Sequence, residues 1–206
     1  MSAACRAPRT AATTRRAAKL TVGAAVAALA LTACSSGGTS GGGNNTNFVT
    51  NSGGISTVKQ GDRHDAPVLA GKDLSGKALS AADYKGKVLV VNVWGSWCAP
   101  CRAEAKYFAK VSEQTKDQDV QFIGINTRDP QSDQAIAFEK DYGVTYPSFY
   151  DPSGKLLLKF DKGTLNPQGI PNTLVIDRDG KIAARSLQAL NDKKLREMID
   201  PVIAEK

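Results

Sequence analysis

Histidine is nearly absent from this chain, with His64 the single example in 206 residues. Cysteine is also scarce, at four, and aromatic residues make up only 6%. Each shortage removes a class of function. A structural zinc site wants four ligands, and beyond residue 34 only Cys98, Cys101 and His64 remain as thiol or imidazole donors. No metal is therefore expected, and His64, lying before the first strand expected of the domain, is read as a surface residue rather than a ligand. The longest apolar run, residues 20–31, is too short for a permanent membrane span. No basic block or arginine–aromatic interleaving suggests nucleic acid. The formal charge of +7 misleads, because five of the 27 basic residues and none of the 20 acidic ones fall in the first 34 positions; the rest of the chain carries +2.

Those first positions read as an address. Arg6, Arg9, Arg15, Arg16 and Lys19 form a basic region ahead of the apolar stretch at 20–31, the order of a secretory signal. Residues 35–47 contain only Ser, Gly, Thr and Asn, which cannot bury apolar surface. A flexible tether of about 20 such residues has a root-mean-square reach of roughly 25 Å. Residues 48–61 are open to two readings, an added edge strand around Ile55 or continued coil. The remainder, from residue 61 to 206, is long enough for one domain with its own core.

The chain is organised around residues 88–104, VLVVNVWGSWCAPCRAE. The apolar, mostly β-branched start reads as a buried strand. Gly95 and Ser96 interrupt it, and Ala99 to Lys106 are mostly good helix formers. Cys98 and Cys101 thus fall where a strand ends and a helix begins. Unpaired N–H groups and the positive end of the helix dipole favour a thiolate there, and the two-residue spacing lets the second cysteine close a disulfide with the first. Pro100 is tolerated because a first helical turn needs no N–H donor at that point. Elsewhere, residues 66–87 suggest a hairpin turned by Asp73-Leu74-Ser75-Gly76-Lys77, and 120–126 a second buried strand. A helix is expected over 132–142, a short strand at 147–150, and a turn with a short helix over 151–160. A hairpin follows over 173–186 and a closing amphipathic helix over 191–203. Strand–helix–strand–helix order favours parallel pairing.

Trp97-Cys98-Ala99-Pro100-Cys101 after a hydrophobic strand resembles the thioredoxin superfamily. The longer string, Asp83-Tyr84-Lys85-Gly86-Lys87-Val88 running into Asn92-Val93-Trp94-Gly95-Ser96-Trp97-Cys98, is similar to the membrane-tethered TlpA/ResA-like thiol-disulfide oxidoreductases. The resemblance covers residue 66 to the C-terminus. It implies an α/β thioredoxin-like fold, a central mixed sheet flanked by helices with an N-terminal β-hairpin extension. Leu31-Thr32-Ala33-Cys34 resembles a lipoprotein lipobox, which implies a signal peptide over 1–33, a lipid on Cys34 and a tether to residue 60. Cys5 then leaves with the signal, and Cys98 and Cys101 remain as one dithiol with no structural disulfide beside it.

The resemblance also implies roles: Cys98 as nucleophile, Cys101 as resolving cysteine, and a cis peptide before Pro171 facing them. Ile170 would then be free to pair with an extended substrate, with Trp97 shaping the same surface. Glu104, three residues beyond Cys101, corresponds to a glutamate that acts on proton transfer; the bland alternative is a solvated residue opposing a lysine. Asn92 departs from thioredoxin, which has a buried aspartate at that strand position, so either Glu104 takes over or the resolving step uses solvent. Trp94 reads equally as core or site. Arg102 either steers acidic substrates or caps the rim.

The implied activity is protein-disulfide exchange on the outer face of a bacterial cell membrane. It needs no cofactor; cysteine-containing proteins are its substrates, and a membrane thiol partner supplies electrons. The reductase direction is favoured, as in cytochrome c maturation, with a disulfide-forming oxidase as the alternative. A thiol peroxidase would need a Thr or Ser and a Pro just ahead of the cysteine, where Trp94-Gly95-Ser96-Trp97 stands. A copper chaperone would need a histidine after Cys101, and none follows.

Overall fold

The computed structural model describes residues 46–205. The signal expected at 1–33, the lipid site at Cys34 and the first part of the tether lie outside the described residues. A seven-stranded mixed sheet forms the centre. In chain order its strands are β1 (Val49–Thr50), β2 (Ile55–Thr57), β5 (Val88–Trp94), β6 (Val120–Thr127), β7 (Ser148–Asp151), β8 (Asn172–Ile176) and β9 (Ile182–Ser186). Their spatial order is β1-β2-β9-β8-β5-β6-β7. The short strands β3 (Ala70–Lys72) and β4 (Ala78–Ser80) pair separately as a hairpin. The helices are α1 (Ala99–Thr115), α2 (Ser132–Tyr142) and α3 (Asp192–Ala204).

Strands β5, β6 and β7 run parallel, and each step between them is made by a helix, α1 and then α2. Parallel neighbours need such a crossover, whereas the antiparallel β8–β9 pair closes through the tight turn at Asp177-Arg178-Asp179-Gly180. Successive side chains of β5 alternate between faces. Val88 and Val90 join Phe108 and Val111 of α1 and Leu195, Met198 and Ile199 of α3 in one core. Leu89, Val91 and Val93 join Leu69, Leu79, Phe149 and Phe160 in a second core under the hairpin and the 156–165 segment. Each such fully buried aliphatic or phenyl side chain contributes roughly 1.5–3 kcal/mol.

Residues 48–61, open in the sequence to either reading, supply two strands. Ile55, Ser56 and Thr57 pair antiparallel with Ser186, Arg185 and Ala184 of β9. Strand pairing therefore begins upstream of the boundary expected at residue 61, and His64 follows two strands rather than preceding the first. Among the described residues, no helix is long and apolar enough to cross a membrane.

Candidate active site

The alternation of β5 decides what lies beneath the cysteines. Asn92 and Trp94 share the face of Val88 and Val90 and so turn toward the helices. Trp94 is core: it stacks on Phe138 of α2 with ring centroids 4.4 Å apart, in a cluster that also holds Cys98, Cys101, Ala105 and Leu74. After β5 the chain turns through Gly95 and Ser96, and Cys98 becomes the N-cap of α1, with Pro100 in the first turn. Its sulfur accepts the Cys101 backbone N–H at 3.2 Å, meeting one of the donors that a helix start leaves unpaired. Cys98 and Cys101 are joined as a disulfide with Cα atoms 5.2 Å apart, inside the range that a bridge spans.

The Ile170–Pro171 peptide is cis, and the Ile170 carbonyl oxygen lies 3.8 Å from Cys98 Sγ. Trp97, at 47% exposure, is the large apolar side chain beside the cysteines that faces solvent. Cys98, Cys101, Trp97, Ile170 and Pro171 are thus brought to one end of the sheet.

Glu104 sits one turn of α1 below Cys101 and is only 2% exposed, so the reading of a solvated residue opposing a lysine does not describe it. Its Oε1 accepts a hydrogen bond from Asn92 Nδ2 at 2.9 Å, and its Oε2 accepts the Leu190 backbone N–H at 2.9 Å. Burial pushes this carboxyl up from 4.5 to about 7, against the pull of those two hydrogen bonds. Asn92 is a donor to the carboxylate rather than a proton acceptor. Tyr146, also buried, is held well above the ordinary phenol range, first by burial and then by the charges of Glu104 and Glu139.

Asp129 is a part of the site that reading the sequence missed. It is fully buried, and its carboxylate accepts from Ser96 N–H at 2.9 Å, from Ser96 Oγ at 2.6 Å and from Asn126 Nδ2 at 2.5 Å. The turn that presents Trp97 and Cys98 is therefore tied to the end of β6. Arg128, just before it, has a left-handed backbone (φ 60°) and places its guanidinium 5.7 Å from the Trp97 ring centre. Arg102 donates to the Ser96 carbonyl at 3.0 Å. His64 is exposed and lies beside Asn47, whose Nδ2 is 3.4 Å from its Nε2. Among the described residues no group of three His, Cys, Asp or Glu is placed to hold a metal.

Comparison with known proteins gives three kinds of likeness. Residues 59–199 match the Redoxin family. Over 119 residues the chain is 34% identical to the thiol-disulfide oxidoreductase ResA of Bacillus subtilis, a match over 57% of this chain and 63% of that protein. Among solved structures, a DsbF homologue from Corynebacterium diphtheriae is 34% identical, with a TM-score of 0.68 over 77% of this chain and 99% of that one. A secreted thiol-disulfide isomerase from Corynebacterium glutamicum is 30% identical, with a TM-score of 0.70 over 77% of this chain and 97% of that one. The sheet order, the crossovers and these neighbours together make the fold thioredoxin-like.

Proposed function

Because the chain belongs to the Redoxin family, as a ResA-like member of the thioredoxin superfamily, we propose that it is a protein-disulfide oxidoreductase working through Cys98 and Cys101. The observation that carries the reading is the dithiol pair at the start of α1, buried over a carboxyl whose pKa lies near neutrality.

In the reduced protein the Cys98 thiolate attacks a substrate disulfide. One substrate sulfur leaves as a thiolate, and the other stays bonded to Cys98. Cys101 then attacks Cys98 Sγ, re-forming the intramolecular disulfide and releasing the second substrate thiol. Two electrons pass from the protein to the substrate. In this reading Glu104, one turn of α1 from Cys101, takes the Cys101 proton as that sulfur becomes a nucleophile. Ile170 offers its backbone beside Cys98 to an extended substrate segment, and Trp97 supplies an apolar platform at the same place.

The direction we favour is reduction. A strong oxidant of this kind is one whose reduced form is stabilised as a thiolate. A buried carboxyl one turn from Cys101 works against that, since a like charge disfavours a second anion. The setting we propose is the outer face of a bacterial cell membrane, with a lipid on Cys34 and a tether that ends ahead of β1, since residues from Val49 already pair into the sheet. Electrons would come from a membrane thiol partner, and one use would be keeping cysteines reduced during cytochrome c maturation.

The deciding measurement is the reduction potential of the Cys98–Cys101 couple by equilibration with glutathione. A value near or below roughly −270 mV supports the reductase, and one near roughly −120 mV makes the protein an oxidase. Failure to behave as one two-electron couple would overturn the dithiol mechanism.

A further inference from the structure

The rim of the site carries cations that nothing in the fold neutralises. Arg102 and Arg128 lie on either side of the turn that presents Trp97. Each is anchored through one guanidinium nitrogen to a backbone carbonyl, Arg102 to Ser96 at 3.0 Å and Arg128 to Pro167 at 2.7 Å. Both are exposed, so the remaining N–H groups of each fork are left to solvent. Lys106, four residues after Arg102, occupies the adjacent exposed position on α1.

Arg63 pairs with Asp177 and Glu205, Lys110 with Asp192, Lys116 with Glu113, Lys181 with Asp65 and Arg196 with Asp200. Other exposed cations among the described residues are unpaired, and what sets Arg102 and Arg128 apart is that both are anchored beside the turn that presents Trp97. Among the described residues, Arg102, Lys106 and Arg128 have no ion pair. The carboxylates close to them in the chain are turned inward, Glu104 to Asn92 and Leu190, and Asp129 to Ser96 and Asn126. Asp133, the nearby exposed carboxylate in the first turn of α2, is paired with neither arginine.

Arg128 adds a second indication. A non-glycine residue in the left-handed region is uncommon, and here the conformation brings a charged side chain over an exposed tryptophan at the mouth of the site. Held in place by Pro167 and Trp97, the guanidinium loses less freedom when it meets a carboxylate than a free one would.

We propose that Arg102, Arg128 and Lys106 form a docking rim for acidic segments, so that the preferred protein substrates carry Asp or Glu beside their reactive cysteines. The inference rests on the thiol–disulfide exchange reading. The rim acts at encounter and in holding the substrate while Cys98 reacts, which is where peripheral charges exert most of their effect.

The test uses the reduced full-length chain and three disulfide-bonded peptides that differ only in flanking residues: two aspartates, two serines or two lysines. Second-order exchange rates are followed by the change in tryptophan fluorescence. At about 0.01 M salt the acidic peptide should react about tenfold faster than the lysine peptide, with serine between them. At about 1 M salt, where screening acts over about 3 Å, the three rates should converge within about twofold. The acidic-to-lysine ratio is the readout in an Arg102→Gln/Arg128→Gln variant, since it cancels any change in Cys98 reactivity common to all three peptides, and it should fall toward one. Equal rates at low salt, or a ratio that survives in the double variant, would overturn the rim. If no peptide exchanges at all, the underlying activity fails instead.

Discussion

Replacing Glu104 by glutamine should change stability with a sign that depends on pH. The carboxyl titrates at 4.5 unperturbed and at about 7 in the folded protein, with burial the dominant cause. Below pH 4.5 it is neutral in both states and contributes no linkage. Between those values the folded form holds a proton that the unfolded form has released, so stability falls as pH rises. Above the folded value the loss is complete, at about 3 kcal/mol for a shift of roughly 2.5 pH units. Glutamine removes that loss but carries an NH2 where one carboxylate oxygen stood. Asn92 Nδ2 and the Leu190 N–H both donate to Glu104, so one buried donor is left unmet, at about 1–2 kcal/mol. At about pH 4 the variant should therefore be less stable than the parent by about 1–2 kcal/mol, and at about pH 8 more stable by a similar amount. Guanidinium unfolding of the oxidised proteins across this range measures it. Taking the difference between the two proteins cancels the similar contribution of Glu139, which burial also raises to about 7. A difference that stays constant with pH would refute the assignment of a buried, near-neutral carboxyl beneath the dithiol.

Three further outcomes follow from the same geometry. Cys101→Ser should accumulate a mixed disulfide between Cys98 and substrate, visible by mass spectrometry under non-reducing conditions, and Cys98→Ser should not; trapping by Cys98→Ser alone would reverse the assigned roles, and equal trapping by both would refute them. Asp129→Asn replaces an acceptor for Ser96 and Asn126 with a group that is half donor. It should lower stability by about 2–3 kcal/mol and alter Trp97 fluorescence, while an unchanged unfolding midpoint would show that the turn does not depend on it. Gly124→Ala would drive a methyl into Ser148 Oγ and place it 2.7 Å from Trp94 Nε1. A loss of about 1–3 kcal/mol is expected, recovered in part by adding Ser148→Ala; no recovery would mean that the Trp94 contact dominates.

Much of this arrangement could be read from local sequence. The β-branched runs at 88–94 and 120–127 announce two buried strands, and Asp73–Lys77 and Asp177–Gly180 announce their turns by residue type alone. The dithiol at a strand-to-helix junction is equally local. What stayed hidden depends on contacts far apart in the chain. Val49–Thr50 and Ile55–Thr57 are too short to show a period, so a strand around Ile55 stays undecided in the sequence alone. Ile55–Thr57 becomes one because the edge of β9 is there to pair with, and Val49–Thr50 pairs onto it in turn. Asp129 in Thr-Arg-Asp-Pro looks like an ordinary polar turn residue; its burial follows from Ser96, 33 positions earlier. The environment of Glu104 is set by Asn92, 12 residues before it, and by a backbone N–H 86 residues after it. The side-chain type marked the position, but the field acting on it came from the folded chain.

That field also separates two cysteines only three residues apart. Cys98 is the N-cap of α1, where unpaired N–H groups and the helix dipole favour an anion, and its sulfur already accepts one N–H. Cys101 lies one turn further in, almost fully buried, with Glu104 one turn beyond it on the inward side of the same helix. Burial and a neighbouring carboxylate both work against a thiolate at such a position. In the mechanism we propose, Cys101 keeps its proton while Cys98 acts as a thiolate, and that proton moves to the Glu104 carboxylate when the mixed disulfide needs resolving. A nucleophile that must be charged and a resolving thiol that must stay protonated until needed thus take opposite environments from a single turn of helix.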